Sequence, residues 1–399
     1  MKAIAHFDWV KYSISKHILN FGLSMKYLEL VLVLFFCSTI AQHQAQTTII
    51  DTFEHDGVMR DYILYIPATL QVGAPLVFNL HGYTEGATIQ SIYCEMNDVA
   101  DTHGFAVCYP DGTNDSFGLP HWNAGLVGDT VDDLGFLTSL AEALQVEHYL
   151  DPERTFSCGI SNGGMMSYHL ACNAPETFKA VASVAGSMTT PTFNNCDSAP
   201  AVPIFSIHGT LDLVVPYNGA DIPLDGWGTL VSNSEIMSFW NTHNSCSDAI
   251  AGSLENISLL DFSTVDTWKW HDCAGGNQNW LYRVNGGGHN WPGALPVIAL
   301  GNTNQDFHAS EAIWEFFSQC QPIVGVEDES QNTSPIYPNP ASDQICGFDG
   351  EFELLSVSGK KVFAGNSSGQ CTALPTLSSG IYILKHGPNF SLYQRLVID

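Results

Sequence analysis

Short apolar runs and longer amphipathic stretches alternate along the chain from residue 75 to about residue 319. The apolar runs are typical of buried strands, and the stretches between them have the spacing of helices. This alternation predicts an α/β fold, with a mostly parallel sheet flanked by helices. Ahead of it, polar and apolar positions alternate in 48–53 and 60–67, which predicts an opening antiparallel pair of strands.

The N-terminus has a different pattern. Met25-Lys26 opens a second start with one positive charge, followed by an apolar run over 28–36 and a small-residue exit. This pattern predicts a secretory signal peptide. We interpret residues 1–46 as an over-extended N-terminus plus a signal peptide, with Met25 as the start. A membrane anchor is the alternative, but the apolar run is shorter than the ~20 residues that a transmembrane helix needs.

The composition changes again after Cys320. Residues 321–334 are polar, with little to bury, and predict a linker. From 335 to 399, short alternating runs are divided by Gly and Ser turns, which predicts a small all-β sandwich. The α/β domain is therefore predicted over 47–320, with 216–273 interpreted as an insertion near the mouth of its site.

A G-x-S-x-G pentapeptide, Gly159-Ile160-Ser161-Asn162-Gly163, lies between a β-prone apolar run and a helix-like segment that ends near Cys172. A strand, a sharp turn and a helix form the context of a nucleophile elbow, whose serine hydroxyl projects from the tip. Glycines are needed because the turn is too tight for side chains on either side. The pentapeptide is common by chance, but its context predicts a catalytic Ser161.

Candidate partners follow in the order Ser, Asp, His. Asp212 lies in a polar turn after an apolar strand pattern, and His289 lies in a glycine-rich loop after another. Side chains just past strand ends meet at one edge of a parallel sheet, so we expect them near Ser161. Asp221 and Asp225 are alternatives for the acid, but neither directly follows a strand.

The oxyanion hole is predicted from a further strand end. The run 75–80 leads into His81-Gly82-Tyr83. The backbone N–H groups of Tyr83 and Asn162 are the predicted donors. His81 and His208 each precede a glycine at a strand end, and we interpret both as structural.

Three aromatic residues are predicted to contact substrate: Tyr83, Trp122 and Trp291. Trp291 lies two residues after His289, and Trp122 lies in a polar Gly/Asn loop. One of Asp132 and Asp133 is predicted to be the N-cap of the helix that follows them.

Seven segments together resemble the secreted polyhydroxybutyrate depolymerase and feruloyl esterase family of α/β-hydrolases. They are His81-Gly82-Tyr83, Pro110-Asp111-Gly112-Thr113, Trp122-Asn123-Ala124-Gly125, Asp132-Asp133-Leu134-Gly135-Phe136, 159–166, His208-Gly209-Thr210-x-Asp212 and Gly287-Gly288-His289-x-Trp291-Pro292. The resemblance covers roughly residues 50–320, with the motifs in the family's order. It implies a carboxylic ester hydrolase with a Ser161, Asp212, His289 triad.

A second resemblance concerns the C-terminal region. Tyr337-Pro-Asn-Pro-Ala-Ser, 356–362 and Leu377-Ser-Ser-Gly-Ile-Tyr-Ile-Leu resemble the C-terminal sorting domain of the type IX secretion system. The resemblance implies that 335–399 engages that machinery and that the protein is secreted or attached to the cell surface. A carbohydrate- or polymer-binding module is the alternative.

The net charge limits the possible binding partners, and the cysteine count indicates disulfides. With 13 Lys and Arg against 41 Asp and Glu, the formal charge is −28, which excludes nucleic acid and disfavours anionic lipid. Without Cys37, ten cysteines remain in a chain with an export signal, an even number. Sequence does not fix their connectivity, but local pairs are favoured: Cys172 with Cys196, Cys246 with Cys273, and Cys346 with Cys371. Cys108 and Cys158 fall in apolar strands and are predicted to be buried thiols.

The sequence predicts no cofactor, since no Cys or His spacing indicates zinc and no EF-hand or P-loop is visible. The two substrate classes of the family remain open: feruloyl or acetyl esters of plant polysaccharide, and polyhydroxyalkanoates. The first is favoured because no separate polymer-adsorbing module is evident. Two hypotheses from different classes are a serine exopeptidase on the same fold and a non-catalytic surface binding protein.

Overall fold

A computed structural model of the protein describes residues 46–196, 199–224 and 228–320, and in the C-terminal region 344–346, 349–356, 361–368, 371–375, 377, 380–386 and 392–398. The predicted signal peptide and linker lie outside these residues. Among the described residues, no helix combines the length and hydropathy that a membrane span requires.

The central feature is a ten-stranded mixed sheet. Its strands are β1 (Thr47–His55), β2 (Val58–Ile66), β3 (Leu76–Leu80), β4 (Ala106–Pro110), β7 (Thr155–Ile160), β8 (Ala180–Val184), β9 (Ile204–Gly209), β12 (Ile250–Ser253), β13 (Thr264–Trp270) and β14 (Asn279–Asn285). They lie in the order β1-β2-β4-β3-β7-β8-β9-β14-β13-β12. Six neighbouring strands, from β4 to β14, are parallel, and antiparallel strands flank them. This is the predicted α/β-hydrolase architecture.

The predicted opening pair is a hairpin. Its two turn residues, Asp56 and Gly57, both have positive φ, 49° and 77°. Two-residue turns of this kind match the twist of the strands that they join. β1 and β2 therefore pair at one edge of the sheet.

Helices cover both faces of the sheet. They are α1 (Ala87–Tyr93), α2 (Met96–His103), α3 (Asp133–His148), α4 (Asn162–Asn173), α5 (Thr190–Asn194), α6 (Asn233–His243) and α7 (Ala309–Gln319), with 3₁₀ turns at Pro152–Arg154, Ala274–Gly276 and Ile298–Leu300. Buried residues of α3, α4 and α6 belong to one apolar core and those of α1, α2 and α7 to a second. Leu76 and Phe78 of β3 face the first core and Val77 faces the second, because alternate strand residues point to opposite faces.

The interval 216–273 is not merely an insertion, and that interpretation was wrong for most of its length. It supplies α6 to one core and the strands β12 and β13 to the main sheet. The alternating pattern of Thr264–Trp270 is that of an antiparallel strand near a sheet edge. Only a short hairpin, β10 (Ala220–Leu224) with β11 (Gly228–Leu230), stands apart from the main sheet. Another two-stranded sheet pairs β5 (Thr113–Asn114) with β6 (Pro120–His121).

The C-terminal region is all β. Its strands are β15 (Gln344–Ile345), β16 (Asp349–Ser356), β17 (Lys361–Ser368), β18 (Thr372–Ala373), β19 (Gly380–His386) and β20 (Leu392–Ile398). β17-β16-β19-β20 form one antiparallel sheet and β15-β18 a second. Ile345 of the small sheet packs with Phe352, Leu354 and Leu384 of the large one, as a small sandwich requires.

The three predicted disulfides are present: Cys172–Cys196, Cys246–Cys273 and Cys346–Cys371. Cys108 and Cys158 are buried thiols, as predicted, and so are Cys94 and Cys320. Disulfides of this kind persist in oxidising compartments.

Candidate active site

The G-x-S-x-G segment forms a sharp turn between β7 and α4. Ser161, at the turn, has φ 56° and ψ −120°, a backbone conformation that L-residues rarely adopt. Both flanking glycines are needed: a methyl group on Gly159 would lie 2.6 Å from the carbonyl oxygen of Leu80, and one on Gly163 would overlap the same oxygen. The segment therefore has the geometry of a nucleophile elbow, with the strain held by close backbone packing.

Asp212 and His289 meet at the carboxyl edge of the sheet, where the loops after β9 and β14 lie side by side. Nδ1 of His289 is 2.7 Å from Oδ2 of Asp212. The other carboxylate oxygen accepts from the backbone N–H groups of Val214 and Val215, both at 2.8 Å. Both members of the pair are buried, with 4% of the acid and 6% of the histidine exposed. The imidazole is thus oriented by a fixed acid, as a general base needs.

His208 also contacts the carboxylate of Asp212. Its Nε2 lies 2.8 Å from the carbonyl oxygen of Val215 and 3.4 Å from Oδ2 of Asp212. Burial alone raises the pKa of Asp212, but hydrogen bonds from His208 and His289 outweigh burial and hold that pKa far below its ordinary value. The acid is therefore ionised throughout the neutral range.

The loops carrying Ser161 and His289 are connected through the turn after β3. A methyl group on Gly82 would lie 3.5 Å both from Cβ of Ser161 and from Oε2 of Glu85, and Glu85 lies near enough to His289 for the two side chains to interact electrostatically. The hydroxyl of Tyr93, on α1, donates to Oδ1 of Asn290 and accepts from the backbone N–H of the next residue. Among the described residues no hydrogen bond joins Ser161 Oγ to His289, and such bonds often tighten only with substrate.

The two predicted oxyanion donors lie on segments next to Ser161: Asn162 follows it in sequence, and Tyr83 follows Gly82, where an added Cβ would lie 3.5 Å from Cβ of Ser161. Asn162 begins α4, where the first N–H groups of a helix have no acceptor within the helix. Its side chain is fixed by two hydrogen bonds with the backbone of Trp122, at 2.6 and 2.9 Å. Tyr83 follows the turn that His81 braces: Nδ1 of His81 donates to the carbonyl oxygen of Gly82 at 2.7 Å.

The structural interpretation of His81 agrees with its surroundings. Its Nε2 accepts from the backbone N–H of Gly112 at 2.9 Å, and burial lowers the pKa of the imidazole. A neutral ring is required to accept this bond. His81 therefore ties the turn after β3 to the loop after β4.

Two of the three predicted substrate-binding aromatics do not reach the site. Trp122 and Trp291 are fully buried, with 0% of their surface exposed. Each indole N–H is already bonded, to the carbonyl oxygen of His81 at 3.1 Å and to Oγ of Ser310 at 3.2 Å. The structure does not support these two predictions, because a fully buried ring whose N–H is already bonded offers no surface to a ligand. Tyr83 is partly exposed, and its hydroxyl donates to Asp115 at 2.7 Å.

The remaining acids have other surroundings. Asp221 is exposed on β10, and Asp225 lies outside the described residues. Asp132 is the N-cap of α3, accepting from the N–H of Gly135, as predicted. Asp133 is instead buried in an ion pair with Arg60, at 2.7 Å.

One group near the site was not predicted from sequence. Glu85 is half-buried, and its Oε2 is enclosed without a hydrogen-bond partner among the described residues. Burial raises the pKa of Glu85, against the lowering effects of the Gly82 backbone and of His289. The only sequence signal for Glu85 is an acid three residues after the His-Gly turn.

A group of His55, Asp56 and Asp132 lies elsewhere on the surface, with its nitrogen and oxygen atoms within 4.8 Å of one another. Asp132 is there because it caps α3, so the group does not indicate a metal site.

The family profile described as Esterase PHB depolymerase matches residues 60–199. The bifunctional acetylxylan esterase/xylanase XynS20E of Neocallimastix patriciarum is 25% identical over 73% of this chain and 38% of its own length. "Probable feruloyl esterase C" of Aspergillus niger is 27% identical over 65% of this chain and 83% of its own. The poly(3-hydroxyoctanoate) depolymerase of Pseudomonas fluorescens is 30% identical over 36% of this chain and 52% of its own.

These similarities support a carboxylic ester hydrolase. The chain spans only 38% of the acetylxylan esterase/xylanase and 52% of the depolymerase. The matched segment 60–199 includes β3, β7 and the turn with Ser161. The similarity therefore covers the part of the fold that carries the candidate nucleophile.

Proposed function

We propose that the protein is a secreted serine carboxylic ester hydrolase that acts on feruloyl or acetyl esters of plant polysaccharide. The observation that carries this proposal is the His289–Asp212 hydrogen bond of 2.7 Å at the sheet edge that also carries the strained turn of Ser161. We propose Ser161 as the nucleophile, His289 as the general base and Asp212 as its orienting acid. We also propose the substrate class and the export of the protein. The family match and the relatives support the reaction class.

In the proposed mechanism, His289 Nε2 takes the proton of Ser161 as Oγ attacks the ester carbonyl carbon. The oxyanion that forms accepts hydrogen bonds from the N–H groups of Tyr83 and Asn162, each worth about 2.7–4 kcal/mol in comparable sites. As the tetrahedral intermediate collapses, the C–O bond to the alcohol breaks and the imidazolium returns the proton to the leaving oxygen. Water then repeats the sequence on the acyl-enzyme and releases the acid.

Export is supported by several features. The signal-peptide pattern in 1–46 directs the chain out of the cytoplasm, and three disulfides suit an oxidising compartment. We further propose that residues 335–399 engage the type IX secretion machinery and leave the enzyme secreted or attached to the cell surface. The C-terminal β region has a disulfide and an apolar core of its own, which suits a separate domain presented to such machinery.

A polyester depolymerase is the second candidate, and a surface feature favours it. Three segments, 211–214, 257–262 and 295–298, hold ten of the 22 large apolar side chains that are exposed among the described residues. Leu213, Leu260 and Ile298 are the most exposed of them, at 92%, 85% and 90%. We call these segments the apolar rim. Exposed apolar patches of this kind mark interaction sites, and a water-insoluble polyester would fit one.

The apolar rim is continuous with the candidate site. The backbone N–H of Leu211 donates to the carbonyl oxygen of Gly287, two residues before His289. Asp306 accepts from the N–H groups of Ile257 and Ser258, both at 2.9 Å, and so joins the second segment to the loop after the third.

The test of the proposed function is hydrolysis by the purified protein, beside Ser161→Ala, of methyl ferulate, acetylated xylan and a short 3-hydroxybutyrate oligomer. We expect turnover of ferulate or acetylated xylan, lowered more than about 10⁴-fold by the substitution. Cleavage of only the hydroxybutyrate oligomer would establish the second candidate instead. Full activity in Ser161→Ala would overturn both.

A further inference from the structure

A pocket of about 320 Å³ lies beside the candidate oxyanion turn, and Tyr83 is the lining residue that it shares with the proposed mechanism. Its wall includes Tyr83, Asp115, Phe117, His121, Val127 and Asp129. Concave sites of this volume, with a few fixed polar groups, are typical of small-ligand binding.

Two residues of the pocket wall, Tyr83 and His121, are each next in sequence to a residue that lies close to Ser161 or contacts its neighbour Asn162. Tyr83 follows Gly82, where an added Cβ would lie 3.5 Å from Cβ of Ser161. His121 precedes Trp122, whose backbone N–H donates to the side chain of Asn162 at 2.6 Å. A ligand held in the pocket would therefore be adjacent to an ester bound at Ser161.

The polar side of the pocket consists of two fixed carboxylates. Asp115 accepts from the Tyr83 hydroxyl at 2.7 Å and from the backbone N–H groups of Phe117 and Leu119 at 2.8 and 3.0 Å. The hydrogen bond from Tyr83 lowers the pKa of Asp115, which keeps the group ionised at neutral pH. Ionised carboxylates only accept hydrogen bonds, so they select ligands with hydroxyl donors.

The second carboxylate is held by an imidazole. Nε2 of His121 is 2.6 Å from Oδ2 of Asp129, and Nδ1 is 2.9 Å from the carbonyl oxygen of Thr113. The other oxygen of Asp129 accepts from the backbone N–H of Val131 at 3.0 Å. The carboxylate position is therefore fixed before any ligand binds, which lowers the entropy cost of binding.

The apolar side of the pocket is an aromatic ring on a tight turn. Phe117 is 84% exposed, in a turn closed by a 2.9 Å hydrogen bond from the N–H of Asp115 to the carbonyl oxygen of Leu119. Val127, 74% exposed, extends the apolar surface. The exposed ring offers a flat apolar face to a ligand.

We propose that this pocket binds a neutral sugar residue of the polysaccharide that carries the ester, with the sugar ring on Phe117 and sugar hydroxyls donating to Asp115 and Asp129. This inference rests on the proposed function and names the part of the substrate that the site recognises beyond the ester. Two carboxylates repel acidic ligands, so uronic acids and free carboxylic acids are excluded. A polyester chain has no hydroxyl donors along its length and gains nothing here.

The direct test is calorimetric titration of the full chain with unsubstituted xylohexaose, which needs no catalysis. We expect binding by the wild-type protein and by Ser161→Ala, and about tenfold weaker binding by Phe117→Ala. Ile250→Ala removes a similarly exposed apolar side chain from β12, away from the pocket wall, and should leave the affinity within twofold.

A kinetic measurement separates this inference from the proposed function. For Phe117→Ala we expect kcat/KM on acetylated xylo-oligosaccharide, divided by kcat/KM on p-nitrophenyl acetate, to fall about tenfold, mainly through KM. Ester hydrolysis without xylohexaose binding would overturn the pocket and leave the hydrolase. Xylohexaose binding that depends on Phe117, without hydrolysis of any ester, would retain the pocket and overturn the proposed function. An equal loss on both esters would also overturn the pocket.

Discussion

The two sides of the candidate active site differ in chemistry. On the side of Tyr83 lies a pocket with two fixed carboxylates and one exposed aromatic ring. On the side of His289 lies the apolar rim, where exposed Leu, Ile and Val side chains dominate. Hydroxyl-rich glycans suit the first surface and water-insoluble polyesters suit the second. If Ser161 is the nucleophile, as we propose, the same group would attack either substrate class, and we expect its surroundings to decide between them.

The two sides are also held differently. The loop of the pocket side is anchored by a buried ion pair, since Asp133 contacts Arg60 at 2.7 Å and accepts from the N–H of Asn123 at 2.6 Å. The apolar rim is anchored by Asp261 and Asp306, which accept from backbone N–H groups of the rim and of its neighbouring loop. The two sides therefore depend on different anchors.

The largest expected effect is common to both sides. Asp212→Asn should lower kcat by about 10⁴-fold on acetylated xylan and on a hydroxybutyrate oligomer alike, because His289 loses its orienting acid. Steady-state rates at neutral pH measure it. Asp221→Asn, at an exposed acid on β10, is the matched control and should change rates less than twofold. A loss confined to one substrate would contradict a shared catalytic group.

The next effect concerns the anchor of the pocket side. Arg60→Met should lower the free energy of unfolding by about 3–5 kcal/mol, because it leaves the Asp133 carboxylate buried without its partner. Urea denaturation measures this. Arg283→Met breaks an ion pair with Asp266 whose side chains are 37% and 34% exposed, and should cost less than about 1 kcal/mol. Equal costs for the two substitutions would contradict the role given to burial.

A buried histidine on the pocket side should make the fold sensitive to acid. His169 lies beneath its loop, with Nδ1 3.1 Å from Oγ1 of Thr192, which in turn donates to the carbonyl oxygen of Ala124. Burial lowers the pKa of His169 from 6.5 to about 4. Between these values the unfolded chain binds a proton that the folded chain does not, so stability falls as pH falls.

The pKa shift of His169 corresponds to a loss of about 3 kcal/mol between pH 6.5 and pH 4. His169→Gln should remove that part of the pH dependence, as measured by urea denaturation at several pH values. His103→Gln replaces a histidine whose side chain is 38% exposed and serves as the surface control. An unchanged pH dependence in His169→Gln would contradict this account.

The smallest effect distinguishes the apolar rim. Leu213→Ser with Leu260→Ser should weaken adsorption to a polyhydroxybutyrate film about tenfold, because both side chains lose apolar contact with the polymer. Hydrolysis of acetylated xylan should stay within twofold. Ile250→Ser, 69% exposed on β12, is the control for a general loss of surface hydropathy. Unchanged adsorption would remove the support that the rim gives to the polyester candidate.

Much of the fold was predictable because its strands have local signatures. The apolar runs before Ser161, Asp212 and His289 are all strands of the parallel part of the sheet. The turn of Ser161 was predictable because only glycine fits beside it. The three disulfide pairings followed from short sequence separations, although sequence did not fix them.

The surroundings of the site were not predictable, because they depend on contacts between distant segments. The orientation of Trp122 and Trp291 is decided by acceptors on other loops, the His81 carbonyl and Ser310. The pocket combines Tyr83 with residues 114–131, which no periodic pattern relates to it. The interval 216–273 was interpreted as an insertion because antiparallel edge strands lack the alternation of helices and strands that marks the parallel part of the fold.

The central claim, that Ser161 is the nucleophile oriented by His289 and Asp212, is tested most directly by covalent labelling. The full chain and Ser161→Ala are incubated with an active-site fluorophosphonate, and the modified peptide is identified by mass spectrometry. The account predicts one label per wild-type molecule, on the peptide that contains Ser161, and none on the variant. No label on the folded wild-type protein, or equal labelling of both, would contradict it.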